Sequence, residues 1–172
     1  IVTSGKTPDE SDFNRMIEMI KGINDLGKIK SCASIGILNE EQAKILADAG
    51  LKPFHHNINS ARSYYPEVCT THTFEDRINT CKLVKKYGME LCCGVILGMG
   101  ESIEQRIEMA EILAEIEPES IPINILMPIP QTPFENYYDK RYYDTHRFIS
   151  FEIENCLFHT ISISHFLFDK SL

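Results

Sequence analysis

Leu91-Cys92-Cys93-Gly94-Val95-Ile96-Leu97-Gly98-Met99-Gly100-Glu101 is an apolar run of strand character that breaks into glycines. It leads directly into Ser102-Ile103-Glu104-Gln105, a capping residue with Gln three places on. Glycines at such a place let a backbone approach a ligand, or they serve a turn with positive φ, and these residues alone leave both readings open. The same grammar recurs along the chain. Asn39-Glu40-Glu41-Gln42 and Thr73-Phe74-Glu75-Asp76 open helices in the same way. Thr7-Pro8-Asp9-Glu10, read with Thr7 as the cap and Pro8 at the first helical position, precedes Phe13, Met16, Ile17, Ile20 and Ile23 at helical spacing. These starts lie roughly 30 residues apart, the length of a βα unit. Gly27, Gly50 and Gly88 stand where helices should end, and apolar runs follow them from Ile29 to Ile35, Leu51 to Ile58 and Met89 to Leu97. Ser120 to Leu126 reads as a further strand.

Strands alternating with helices imply an α/β protein with a parallel sheet and right-handed crossovers, either closed as a barrel or open and doubly wound. A complete eight-fold barrel takes about 250 residues, so 172 residues would supply about five or six of its units. The expected fold is a partial (β/α) TIM-type barrel over residues 1–136. Residues 137–172 are expected to form a divergent tail packed on the same domain. That tail is crowded with Tyr137, Tyr138, Tyr142, Tyr143, Phe148, Phe151, Phe158, Phe166 and Phe168, and a helix at about 144–158 and a strand at 160–164 are expected in it.

A hydrophobic content of 43% allows a sizeable core. With 25 acidic against 17 basic residues, a net charge of -8 and no Lys/Arg-rich run, a nucleic-acid partner is not expected. The longest nearly uncharged stretch, Ser120 to Pro133, carries four prolines and falls short of the roughly 20 apolar residues of a bilayer span. The chain begins at Ile1 within an apolar run, without an initiator Met or a leader, and is expected to be a fragment. Six cysteines, at 32, 69, 81, 92, 93 and 156, lack the pattern of a disulfide scaffold, which fits a reducing cytoplasm.

A strand alternates its side chains, so Cys92, Gly94 and Ile96 share one face while Cys93 takes the other. By the same rule His55, Asn57 and Asn59 share a face. Three polar groups at one strand end form either a binding site or a satisfied buried network. Arg77, early in the following helix, opposes the helix dipole, which suits either a specific role or an ion pair with Glu75 or Glu104. Cys69, Cys81 and Cys156 read as small buried hydrophobes.

Gly94-x-Ile96-x-Gly98-x-x-Glu101 resembles the Gly-x-Ile-x-Gly-x-x-Glu element of radical S-adenosylmethionine (SAM) enzymes. Phe54-His55-His56-Asn57-Ile58-Asn59-Ser60-Ala61-Arg62-Ser63-Tyr64-Tyr65-Pro66, with Cys69-Thr70-Thr71-His72-Thr73-Phe74-Glu75-Asp76-Arg77, resembles the biotin synthases in particular. So do Ile1-Val2-Thr3-Ser4-Gly5-Lys6 and Pro122-Ile123-Asn124. The likeness runs from Ile1 to about Asn136 and fades after it.

The resemblance implies sulfur insertion into dethiobiotin, SAM as cofactor and a flavodoxin- or ferredoxin-type electron donor. It implies cytoplasmic location and leaves the oligomeric state open, a homodimer included. Asn57, Asn59, Arg77, Gly94, Ile96 and Gly98 would bind SAM, with Arg77 on its carboxylate, for which a planar two-pronged donor is suited. Asn59 departs from the acid usual at that place and lacks a carboxylate's charge-assisted bonds. His55, Asn57 and Asn124 would contact dethiobiotin; Asn124 alternatively closes a turn at a strand end. Cys32 and Cys92 would ligate an auxiliary iron-sulfur cluster of 2Fe-2S type or a variant, with Ser164 standing where the family often has an arginine. The family's reducing 4Fe-4S cluster uses a Cys-x-x-x-Cys-x-x-Cys loop, and no such triplet occurs here. Rival readings are a related radical SAM barrel, of hydrogenase-maturation or pyrrolysine-pathway type, and a non-catalytic remnant lacking that loop.

Overall fold

The computed structural model describes residues 1–136, so the expected tail helix and strand, Cys156 and Ser164 lie outside the described residues. Helices and strands alternate as α1 (Glu10–Asp25), α2 (Glu40–Asp48), β1 (Pro53–His55), α3 (Tyr65–Val68), α4 (Phe74–Lys86), β2 (Glu90–Cys92), β3 (Val95–Leu97), α5 (Ile103–Ile116) and β4 (Ile123–Ile125). The chain divides into two compact units. The first comprises residues 1–57 and 71–93, the second residues 58–70 and those from 94 onward.

In the first unit every backbone pairing is parallel and runs in chain order. Val2 bridges Ser34, Ala33 bridges Phe54, and β1 pairs with β2 through Pro53↔Glu90, Phe54↔Leu91 and His55↔Cys92. Aligned Ala33, Phe54 and Leu91 are all buried, and they form one apolar row across the ladder. Ile17 and Ile20 of α1, Leu46 of α2 and Val84 of α4 are buried with them; burying a side chain of this size contributes roughly 1.5–3 kcal/mol. The expected strand at 29–35 is confined to bridges at Ala33 and Ser34, because Ile29 stays 63% exposed and gains nothing from joining the ladder.

Three of the four helix starts fall where the sequence puts them. Asn39 with Gln42, Thr73 with Asp76 and Ser102 with Gln105 each form a reciprocal capping box. The first start is corrected. Asp9 caps α1 by accepting from the Asp12 N–H at 2.8 Å, while the Thr7 hydroxyl donates to the Ile37 carbonyl at 3.3 Å, across the turn. Thr7 is thus spent on tying loops together, and the carboxylate two residues later takes the helix terminus.

The second unit carries a ladder of its own. Asn59 bridges Val95, and β3 pairs with β4 in parallel through Val95↔Ile123, Ile96↔Asn124 and Leu97↔Ile125. Val95, Leu97 and Ile123 are buried on one face, with Met109, Ile112 and Leu113 of α5 also in the core. The expected strand at 89–97 is interrupted at Cys93-Gly94, giving β2 and β3. Gly94 lies so close to the Pro122 carbonyl that a Cβ would sit 1.8 Å from that oxygen. The short helix α3 and the left-handed Glu117 that ends α5 carry no capping or glycine signal in the sequence. Among the described residues no helix is long and apolar enough to cross a membrane.

Candidate functional site

Alternation along the first unit's register places Cys32, Ser34, His55 and Cys92 on the face opposite the buried Ala33-Phe54-Leu91 row. Cys32 is exposed and Cys92 half-buried. Between them His55 sits opposite Cys92 in the ladder, its Nδ1 3.4 Å from the Ser34 hydroxyl. Asn57 follows two residues after His55, and its carbonyl accepts a 2.8 Å hydrogen bond from Nη1 of Arg77. Arg77, the fourth residue of α4, is thereby tethered to the strand end that carries Asn57.

The opposite face of the same segments is closed. His56, Cys81 and Cys93 are buried; the Cys81 thiol lies 3.9 Å from the Cys93 sulfur and donates to the His56 carbonyl at 3.6 Å. Burial, helped by the positive charge of Arg77, pushes the His56 imidazole down to about 3, so it is neutral at pH 7. Its Nε2 is buried without a hydrogen-bond partner. Cys93 is therefore an interior side chain, and Cys92 is its accessible neighbour. No group of three His, Cys, Asp or Glu side chains that could hold a metal ion occurs among the described residues.

In the second unit Asn59 adopts a left-handed backbone, with φ 67°, so strict alternation does not extend to it from Asn57. Its N–H donates to the Gly94 carbonyl at 3.3 Å and its carbonyl accepts from Ile96 at 2.8 Å. Ile96 and Asn124 are register partners on the less buried side of β3 and β4, and the Asn124 amide donates to the Val95 carbonyl at 3.4 Å. Asn124 is the middle residue of β4 and this bond crosses to β3, so it closes no turn.

After β3 the chain turns at Gly98, whose φ of 89° suits glycine. The turn is held from within. Both oxygens of Glu101 accept backbone bonds, from Gly98 N–H at 2.9 Å and Met99 N–H at 2.8 Å. Nε and Nη2 of Arg106 each approach Glu101 Oε1 at 2.9 Å, and the two side chains are 8% and 0% exposed. The Tyr64 hydroxyl donates to the Met99 carbonyl at 3.1 Å. Sequence reading did not single out Arg106, yet a signal was there: a cation in the first turn of a helix opposes the dipole unless something specific holds it. Gly94 and Gly98 thus have different causes, a backbone wedge at the first and a left-handed turn at the second.

Cys32, His55, Asn57, Arg77 and Cys92 belong to the first unit, and Asn59, Gly94, Ile96, Gly98 and Asn124 to the second. The sequence profile of the radical SAM superfamily matches residues 1–113. The biotin synthase of Acetivibrio thermocellus is 48% identical over 136 residues, 79% of this chain and 42% of that protein. That of Fusobacterium nucleatum is 43% identical over 174 residues, 99% of this chain and 45% of that protein. The chain therefore spans less than half the length of these relatives. Among solved structures, methylornithine synthase superposes with a TM-score of 0.69 at 19% identity, covering 76% of this chain and 39% of that one. The FeFe-hydrogenase maturase HydG from Carboxydothermus hydrogenoformans gives 0.64 at 19%, covering 81% and 35%. At such identity these structures bear on the fold alone, which is a partial α/β barrel of the TIM type with parallel strands.

Proposed function

Since this chain belongs to the radical SAM superfamily, we propose that it is part of a biotin synthase, the enzyme that inserts sulfur into dethiobiotin. The carrying observation is the register that puts Cys32, His55 and Cys92 on one face of the first unit's ladder. Two thiols on one strand face, one exposed and one half-buried, are the pair that a sulfur-donating auxiliary cluster would use. Identities of 48% and 43% to named biotin synthases support the same reading.

The groups held by such an enzyme would supply a 5′-deoxyadenosyl radical from SAM and sulfur from an auxiliary iron-sulfur cluster. The residues present fit SAM in kind. In the second unit Glu101 holds the turn at Gly98, and Ile96 and Asn124 are register partners; in the first, Arg77 is anchored at the Asn57 strand end. Arg77 would pair with the methionyl carboxylate, Asn57 and Asn59 with the ribose, and Gly94, Ile96 and Gly98 would line the nucleoside. His55, Asn57 and Asn124 would position dethiobiotin. For the auxiliary cluster two thiols fit but do not suffice, because such clusters take four protein ligands. Ser164, outside the described residues, is the proposed oxygen ligand beside Cys32 and Cys92.

The sequence contains no Cys-x-x-x-Cys-x-x-Cys triplet, so the 172-residue chain by itself is expected to yield no 5′-deoxyadenosine from SAM. The reading is tested by iron and sulfide analysis of the reconstituted full-length protein. Cys32→Ala and Cys92→Ala should each lose the auxiliary iron, and Cys93→Ala should keep it. Full retention in Cys92→Ala would overturn the assignment.

A further inference from the structure

We propose that Arg106 is a positioning residue for the nucleoside-binding turn, acting through Glu101 on the N–H groups of Gly98 and Met99 and touching no ligand itself; this rests on the reading of that turn as part of a SAM site.

Four contacts centre on the Glu101 carboxylate. Glu101 Oε1 receives the Gly98 N–H and both Arg106 nitrogens, and Oε2 receives the Met99 N–H. A carboxylate that is fully buried cannot stay charged and aimed without a compensating cation. Remove the guanidinium, and the carboxylate either loses its aim at the two N–H groups or swings toward water, so that the bonds to Gly98 and Met99 weaken or go. Either outcome frees the peptide between Gly98 and Met99, which a left-handed glycine does little to restrain. Tyr64 bonds the Met99 carbonyl, so it fixes the far side of that residue and not the two N–H groups. The position of Arg106 in α5 argues the same way. Helix stability alone would favour an acid there, as Glu104 illustrates, and a cation buried against the dipole is retained for what it holds.

The test uses the full-length protein as wild type, Arg106→Met, Arg106→Lys and the double variant Glu101→Gln/Arg106→Met, with three readouts: thermal stability, amide exchange at Gly98 and Met99, and equilibrium binding of radiolabelled SAM. Arg106→Met should speed exchange at those two amides by roughly tenfold, the loss of one bond to a charged group, while Met109 and Leu113 in α5 keep their protection. The double variant removes the stranded charge and should recover the melting temperature. A glutamine has only one acceptor oxygen, however, so SAM affinity should stay roughly tenfold weak. Arg106→Lys, which keeps the charge but not the two-pronged geometry, should fall between. If Arg106 serves stability alone, affinity will return together with melting temperature in the double variant, and the proposal fails. Unchanged exchange at Gly98 and Met99 in Arg106→Met would also overturn it. If the full-length wild-type protein binds no SAM, the nucleoside reading of the turn is lost, and the exchange measurement alone decides whether Arg106 sets the turn.

Discussion

The glycine turn of the second unit and the cysteine face of the first are built on opposite terms. In the turn, Glu101, Arg106 and Tyr64 hold the backbone of Gly98 and Met99 through bonds that are largely sealed from water. On the cysteine face the important atoms are an exposed and a half-buried thiol, with a histidine and a serine hydroxyl between them. A site that binds through its backbone must be rigid before the ligand comes, so its support is core structure and its loss is felt in stability. A site that ligates through thiolates needs access, so its groups can be altered at little cost to the fold.

The sharpest way to break this contrast is Gly94→Ala. A methyl group at that position would overlap the Pro122 carbonyl, and one strand or the other must move. A loss of roughly 3 kcal/mol or more is expected in urea unfolding. Cys92→Ala should stay within roughly 0.5 kcal/mol of wild type in the same experiment. Equal effects would mean that the two regions do not differ in the way described.

Acid should expose the closed side of the first unit. His56 titrates near 6.5 in an unfolded chain but only at about 3 when folded. Between those values the unfolded state holds the extra proton, so stability is complete above about pH 6.5 and declines as pH falls toward 3. The slope should approach roughly 1.4 kcal/mol per pH unit and should flatten in His56→Gln, read from urea midpoints across pH 4 to 7. A smaller effect separates the paired cysteines. Cys93→Ala, which empties space beside Cys81, should cost roughly 1–2 kcal/mol, against almost nothing for Cys92→Ala. Smallest is Thr73→Ala, which removes half of a capping box at the surface. It should cost about 1 kcal/mol, while the Asp76 carboxyl, held below the usual range chiefly by the Thr73 backbone N–H that alanine keeps, should stay low.

Much of the fold was legible because its signals are local. Capping boxes at Asn39, Thr73 and Ser102 need only four consecutive residues, and the buried rows at Phe54 and Leu91 follow from alternation within a few more. What escaped depends on a distant partner. The break between β2 and β3 is caused by Pro122, and Thr7 lost its cap to a bond with Ile37, 30 residues away. The site shows the same division. The facing of Cys92 against Cys93 could be read from the period of a strand, whereas the left-handed Asn59 spoils that period just where it was extended. Arg106 was missed for another reason: its cue, a cation at the wrong end of a helix, is local but acquires meaning only once Glu101 is seen beside it.

The two thiols sealed back to back at Cys81 and Cys93 have a practical consequence. A membrane of packed side chains separates them from any reagent dissolved in water, while Cys32 lies open to it. An alkylating dye added to the native protein should mark Cys32 at once and reach the buried pair only in molecules that have opened. The rate at which Cys81 and Cys93 become labelled would then serve as a clock for spontaneous opening of this part of the barrel, read peptide by peptide without denaturant and without any cofactor present.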